Sequence, residues 1–400
     1  LICSWKLICG DWLVTAGIML YMFVVGACAG SFLNVVIHRL PRGVFLSERR
    51  SFCPSCGKFI PLRENLPLIS WFVLRGKCSG CGAKISPRYV IIEFITASFL
   101  ALLYFFYFSA GTISFSHSQT NFVDFFGGGW WLYLSHAVLF CCLIAASAID
   151  LEMYLIPMSL CIFATLFGLL TAAAAPFFIE YWQIAEFQLF PYSTVRFSGL
   201  IAGSGLGILA ANILLDAGII KPSYEGLELE TENNKSQENI SENPGFNDRK
   251  EMMKEFLFLI PVALFGVIGW KFLTPLECWE NLAANPHIST LLGAAGGYLT
   301  GAGIVWLTRI MGTLSFGREA MGLGDVHLMG AVGVFCGALP AVVIFFAAPF
   351  FGLAFTVIQL ITKKNKEIPY GPFLSLAAVF VIIFRDAVFE WLSKTMGFAG

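Results

Sequence analysis

Apolar residues in this chain come in long unbroken blocks, with none of the alternation or three-to-four spacing of a half-buried soluble element. Such blocks occupy 12–37, 87–108, 130–149, 154–178, 194–216, 255–274, 288–310, 341–362 and 371–391, and a shorter one covers 326–338. A helix of about 20 apolar residues spans the ~30 Å of a bilayer's hydrocarbon core. The pattern therefore predicts nine full membrane helices and one partial one, an all-α, polytopic membrane helical bundle.

The polar intervals give the direction of each crossing. The interval 38–89 carries ten of the 25 basic residues, 217–254 carries five, 309–318 two and 363–366 three, whereas 109–129, 179–193 and 275–287 carry none. Basic residues concentrate on the cytoplasmic side of a membrane, so these intervals are cytoplasmic and the first helix runs from outside to inside. The alternation closes only if 326–338 reaches outward before 341–362 returns. Thirteen residues rise only about 20 Å, so that segment is expected to be a half-helix that begins inside the membrane, its irregular entry covered by protein or facing water. The small residues Ala27-Cys28-Ala29 resemble a signal cleavage site, but arginines follow the run instead of preceding it, so it is read as a retained anchor.

Composition sharpens this picture. The chain is 57% hydrophobic and 13% charged, with 40 phenylalanines, where a soluble globule carries about a quarter charged residues. A formal net charge of −1 argues against nucleic acid as a partner, and the bilayer is the one partner composition demands. The stretch 221–254 stands apart: Glu, Asn, Ser and Lys dominate it, and it reads as a disordered cytoplasmic linker. The expected organisation is a first helix at 1–37, a small cytoplasmic zinc-binding loop domain at 38–86, helices at 87–220, the linker, and helices at 255–400. Glycines at four-residue spacing, Gly199, Gly203 and Gly207 and again Gly293, Gly297 and Gly301, put small residues on one helix face for close packing. As a sign of internal duplication they weigh little.

Twelve cysteines are too few and scattered for a disulfide scaffold. Four of them, in Cys53-Pro54-Ser55-Cys56 and Cys78-Ser79-Gly80-Cys81, form two C-x2-C knuckles followed by Gly57 and Gly82. That spacing supplies four thiolates for a tetrahedral structural zinc site. Disulfides are the competing reading, disfavoured in a reducing cytosol.

A carboxylate in or beside a membrane helix is costly unless paired, hydrated or neutralised, which makes it a functional candidate. Asp150 ends the third helix, and Asp325 lies in Met321-Gly322-Leu323-Gly324-Asp325-Val326-His327 at the start of the half-helix. The topology puts both at the cytoplasmic face. Two close carboxylates share a proton, and such a pair activates water against a peptide carbonyl. Gly322 and Gly324 would let a substrate strand approach the backbone. The alternative is that each aspartate merely caps a helix.

These residues sit within an ordered set of motifs. They include Gly30-Ser31-Phe32-Leu33-Asn34 through His38-Arg39-Leu40-Pro41, both knuckles, Asn65-Leu66-Pro67-Leu68-Ile69-Ser70-Trp71 and Pro87-Arg88-Tyr89. The Asp150 segment with Ile156-Pro157, the Gly-x-Gly-Asp at 322–325 and Pro369-Tyr370-Gly371-Pro372-Phe373 complete it. In this the chain resembles the type IV prepilin peptidases. The resemblance implies a multi-pass enzyme of the bacterial inner membrane with Asp150 and Asp325 as catalytic pair and Gly322, Gly324, Gly371 and Pro372 against the substrate. Its substrates would be prepilins and pseudopilins, cleaved on the cytoplasmic side after the glycine that precedes the hydrophobic helix. Many members then methylate the new N-terminus with S-adenosylmethionine, for which no binding motif is recognisable here. Zn2+ at Cys53, Cys56, Cys78 and Cys81 would be structural. Asn34 and His38 are expected to serve helix packing or an interfacial hydrogen bond more than methyl transfer, and His327 either holds a phosphate head group or tunes the aspartates, or sits at the interface. Met158 replaces the usual Asn or Asp after Ile-Pro, and 179–287 is longer than usual between the aspartates. A peptidase without methyltransferase activity, a non-catalytic assembly factor and a transporter are the alternatives.

Overall fold

The computed structural model describes residues 2–46, 51–53, 55–115, 122–221, 223, 248–362 and 369–396. The linker expected at 221–254 lies outside them except at its edges. Its last residues, 248–254, belong to a helix that begins at Asp248, so the helix starts several residues before the apolar run at 255.

Among the described residues the long helices are α1 (Ile2–Arg39), α2 (Arg88–Tyr104), α3 (Trp130–Met153), α4 (Met158–Ala174), α5 (Val195–Asp216), α6 (Asp248–Phe272), α7 (Pro286–Phe316), α8 (Leu323–Cys336), α9 (Ala338–Thr362), α10 (Gly371–Ile383) and α11 (Arg385–Met396). Among the described residues eight helices are long and apolar enough to cross a membrane, and α10 with α11 make a ninth crossing only if a bent pair counts as one. The protein is a multi-pass helical membrane protein.

Two of the expected boundaries differ. The last apolar run is not one straight helix: α10 and α11 meet at an 87° bend. The charges explain it. Arg385 donates to the carbonyls of Phe187 and Gln188, and Asp386 accepts from the Ser114 amide at 3.1 Å. Continuing straight would carry both into hydrocarbon without those partners. The second difference is α7, which runs on to Phe316, past the expected end at 310 and through most of the interval 309–318, so that Arg309, where block and interval overlap, lies in the helix. Its removal from the cytoplasmic count leaves the charge asymmetry intact.

The chain divides into two compact units, 1–167 with 177–189 and 346–400, and 168–176 with 190–345. In the first unit α1 packs along α2, and a β-carbon on Gly26 would lie 2.7 Å from Cα of Ala97, while one on Gly30 would lie 2.7 Å from Cα of Glu93. Backbones this close need a residue with no side chain, the usual way membrane helices gain packing without a hydrophobic driving force. The second unit uses the same device twice. Gly199, Gly203 and Gly207 of α5 lie against Gly269, Phe265 and Pro261 of α6, and Gly297 and Gly301 of α7 lie against Gly333 and Met329 of α8. The half-helix expected at 326–338 is α8, buried at nearly every position. Its 14 residues rise about 21 Å, short of a full crossing.

Candidate active and metal sites

The two knuckles fold as near copies of each other. In the first, the Cys53 amide donates to the Lys58 carbonyl at 2.9 Å and the Gly57 amide to the Cys53 carbonyl at 2.8 Å. In the second, Cys78 donates to Ala83 and Gly82 to Cys78, both at 2.9 Å. Gly57 and Gly82 carry φ of +69° and +73°, the left-handed conformation that closes each turn. The turns bring the sulfurs of Cys53, Cys56, Cys78 and Cys81 within 4.8 Å of one another. None of the described cysteines is in a disulfide. A tetrahedral tetrathiolate with metal–sulfur bonds near 2.3 Å has sulfurs about 3.8 Å apart, and Cys53 and Cys81 stand at 3.9 Å. The four residues are arranged to hold a metal ion. Their ionisation says the same. The backbone N–H groups of Cys56 and Ser55 aim at the Cys53 sulfur and pull its thiol down to about 6. The Ala83 N–H favours ionisation of Cys81, but the neighbouring sulfurs, Cys56 foremost, outweigh it and push that thiol up to about 11. A cation is what lets all four ionise together.

Behind the knuckles, Trp71 Nε1 donates to the Ile85 carbonyl at 3.3 Å, and Ser79 Oγ donates to Glu64. Glu93, in the second turn of α2, reaches back to accept the Leu68 amide at 2.7 Å. Asn34 of α1 donates to the Tyr89 carbonyl at 3.0 Å, a packing bond between helices, while His38 is exposed.

Asp150 is buried three residues from the end of α3. Tyr154 takes the left-handed conformation just past the helix and returns its amide to the Asp150 carbonyl at 2.9 Å. The Asp150 side chain turns inward, where Oδ2 accepts the amide of Gly371 at 3.1 Å. A β-carbon on Gly371 would fall 2.6 Å from that oxygen and 3.0 Å from Ile156 Cδ1, so glycine is what the contact requires. Pro372 follows in the first turn of α10, where a missing N–H costs nothing. On the other side of the helix end, Arg88 pairs with Glu152 at 2.6 Å.

Asp325 belongs to the second unit. It occupies the first turn of α8, buried, with Gly322 as the preceding cap and its amide donated to the Gly322 carbonyl at 3.2 Å. Its Oδ2 lies 3.7 Å from where a Gly322 β-carbon would stand. His327, half-buried, faces the Tyr298 hydroxyl at 3.5 Å. Met158 is the exposed first residue of α4.

Three charged residues were not singled out from the sequence: Glu93 in the first unit, and Glu255 and Arg309 in the second. Arg309 is fully buried and pairs with Glu255 at 3.2 Å and with Glu319. The signal that would have found them is simply a charge inside an apolar block.

Comparison with known proteins follows the same landmarks. The bacterial peptidase A24 N-terminal domain matches residues 24–107, and the type IV leader peptidase family matches 248–357. The prepilin leader peptidase/N-methyltransferase of Myxococcus xanthus is 32% identical over 196 residues, 48% of this chain and 47% of that protein. This chain thus aligns with about half the length of that relative. The protein of the same name from Dichelobacter nodosus is 25% identical over 87% of this chain and 85% of its own length. That from Aeromonas salmonicida is 23% identical over 94% of each. No solved structure matches the fold. The cysteine knuckles lie inside the first matched segment and Gly-x-Gly-Asp inside the second, so over these two segments the chain is similar to the type IV leader peptidase family.

Proposed function

We propose that this protein is a membrane aspartic endopeptidase that removes the leader peptides of type IV prepilins and pseudopilins and then methylates the new N-terminus. Asp150 and Asp325 are its catalytic pair. The observation that carries the reading is Asp150 itself: a carboxylate buried at the end of a membrane helix and held by the Gly371 amide, in a chain whose family domains contain Gly-x-Gly-Asp. The amide it accepts is that of the first residue of α10, 221 positions away, so the carboxylate caps neither its own helix nor the next one in sequence.

In this mechanism one carboxyl is protonated and the other ionised. The ionised member takes a proton from water as the water oxygen bonds to the scissile carbonyl carbon, and the protonated member gives its proton to the carbonyl oxygen. The diol intermediate then returns one proton to the second carboxylate. The first passes its proton to the nitrogen as the C–N bond breaks. One water is consumed, a carboxylic acid and an amine leave, and the pair regains its single proton. The methyl group for the second activity comes from S-adenosylmethionine. Cys53, Cys56, Cys78 and Cys81 would hold one Zn2+, which with four sulfurs bound has no position left for water and serves to fix the loop. The concentration of basic residues in these intervals supports a cytoplasmic loop, and cleavage on that side of a bacterial inner membrane is part of the proposal.

Purified protein in detergent should release the leader from a prepilin, and Asp150→Asn and Asp325→Asn should each lower the rate at least about 10³-fold, the scale on which removing an essential catalytic group acts. Wild-type turnover in either variant rejects the pair. Mass spectrometry of the mature N-terminus separates this reading from a peptidase without methyl transfer.

A further inference from the structure

The short segment that leads into Asp325 is tied to α7 at successive points on one face. Gly312 carries no side chain, and a β-carbon there would meet the Ala320 methyl at 2.7 Å, so the returning chain lies directly on the helix. Thr313 Oγ1 accepts the Ala320 amide at 3.1 Å. One turn back, the Arg309 guanidinium donates to the Glu319 carboxylate and to the Met321 carbonyl, so it holds both ends of the stretch 319–321. Positions 309, 312 and 313 share one helix face by their spacing.

Arg309 is itself held from behind. Its Nη2 and Nε donate to the two Glu255 oxygens at 3.2 and 3.3 Å, and Glu255 also accepts Trp306 Nε1 at 2.7 Å and Ser223 Oγ at 3.3 Å. Arg309 and Glu255 are 1% and 4% exposed, whereas Glu319 is half-exposed. A planar guanidinium with donors on three sides bridges a carboxylate in α6, a carboxylate in the loop and a loop carbonyl at once, which the single ammonium of lysine does not reproduce. This buried charge set ends on the carbonyl of Met321, the residue before Gly322.

We propose that Arg309 is a positioning residue for the peptidase reaction, which with Glu255, Glu319 and Thr313 sets the path of 319–322 and thereby the placement of Asp325. It touches no substrate. The inference rests on the reading of Asp325 as catalytic. It predicts that loosening the tether lowers turnover while the protein stays folded and binds substrate as before.

The test uses full-length enzyme in detergent, a prepilin substrate, kcat and KM measured separately, and the thermal unfolding midpoint of each variant. Glu319→Gln and Thr313→Val alter the tether at its outer end and should fold. Each is expected to reduce kcat about 10-fold or more with KM and midpoint near wild type, since misplacement of about 1 Å costs up to 10²-fold. Arg309→Lys is expected to lose more kcat than either and to recover part of what Arg309→Met loses. Asp325→Asn is run alongside. If Asp325→Asn still cleaves, the catalytic reading beneath this inference fails. If Asp325→Asn is inactive while Glu319→Gln and Thr313→Val keep wild-type kcat, or lose it only in step with unfolding, Arg309 is structural and this inference alone is overturned.

Discussion

The Gly371 amide donates to Oδ2 of Asp150 across 3.1 Å, and a β-carbon at 371 would stand 2.6 Å from the same oxygen. Hydrogen bond and steric limit thus act on one atom. Replacing Gly371 with alanine forces either the carboxylate or the start of α10 to move. Because alanine favours a helix more than glycine does, the global fold should not suffer. Gly371→Ala is expected to lower prepilin cleavage by about 10²-fold with an unchanged unfolding midpoint. A variant that cleaves at the wild-type rate would show that the contact is idle.

The knuckles should bind one metal ion per chain, and elemental analysis of purified protein is expected to give a ratio near one for zinc. A strong chelator, or acidification that protonates the thiolates, should release it. The region around 51–86 should then become a substrate for limited proteolysis while the spans stay intact. Cys53→Ser should behave as the chelated protein does, because three sulfurs and a hydroxyl bind zinc far less well than four sulfurs. Full protection from protease without metal would leave the four sulfurs with no structural task.

Much of this was open to reading from the sequence, and the reason is physical. A membrane helix has to satisfy its own backbone within about 20 residues of apolar chain, so the block pattern and the glycine faces write themselves into the sequence. The knuckles are local, each closed by one glycine turn, and Asp150 and Asp325 declare themselves by their cost. What stayed hidden depends on distant partners. Arg309 falls where an apolar block and a polar interval overlap, and Glu255, 54 positions away, has no sequence mark tying it there. The bend after Ile383 follows from carbonyls at 187–188, nearly 200 residues earlier. Glu93 is a lone acid in an apolar block until the Leu68 amide is seen beside it.

That last pair makes its own prediction. Leu68 has φ of +63°, unusual for a residue with a side chain, and its amide is fixed by Glu93 Oε2 at 2.7 Å. Glu93→Ala leaves the amide without this acceptor, at a cost of about 1–3 kcal/mol, and should speed proteolysis within 62–70. Glu93→Gln keeps a carbonyl oxygen in place and should be much milder. If the two variants are cut equally fast, the carboxylate does not hold the loop.

The crossing of α7 and α8 is testable at Gly297 against an internal control on the same helix. A β-carbon at Gly297 would collide with the Gly333 carbonyl of α8, and one at Gly333 with the Gly297 carbonyl, so the two backbones touch with nothing flexible between them. A β-carbon at Gly303, six residues further along α7, would meet nothing within 4 Å. Gly297→Ala should therefore destabilise by about 1–3 kcal/mol as the helices part. Gly303→Ala should be neutral or stabilising by up to about 1 kcal/mol, since alanine suits a helix better. Thermal unfolding in detergent measures both. Because α8 begins beside Asp325, Gly297→Ala is also expected to lose turnover out of proportion to its stability, whereas Gly303→Ala keeps it. Equal behaviour of the two variants would mean that the glycine contact between α7 and α8 neither holds the helices together nor places Asp325.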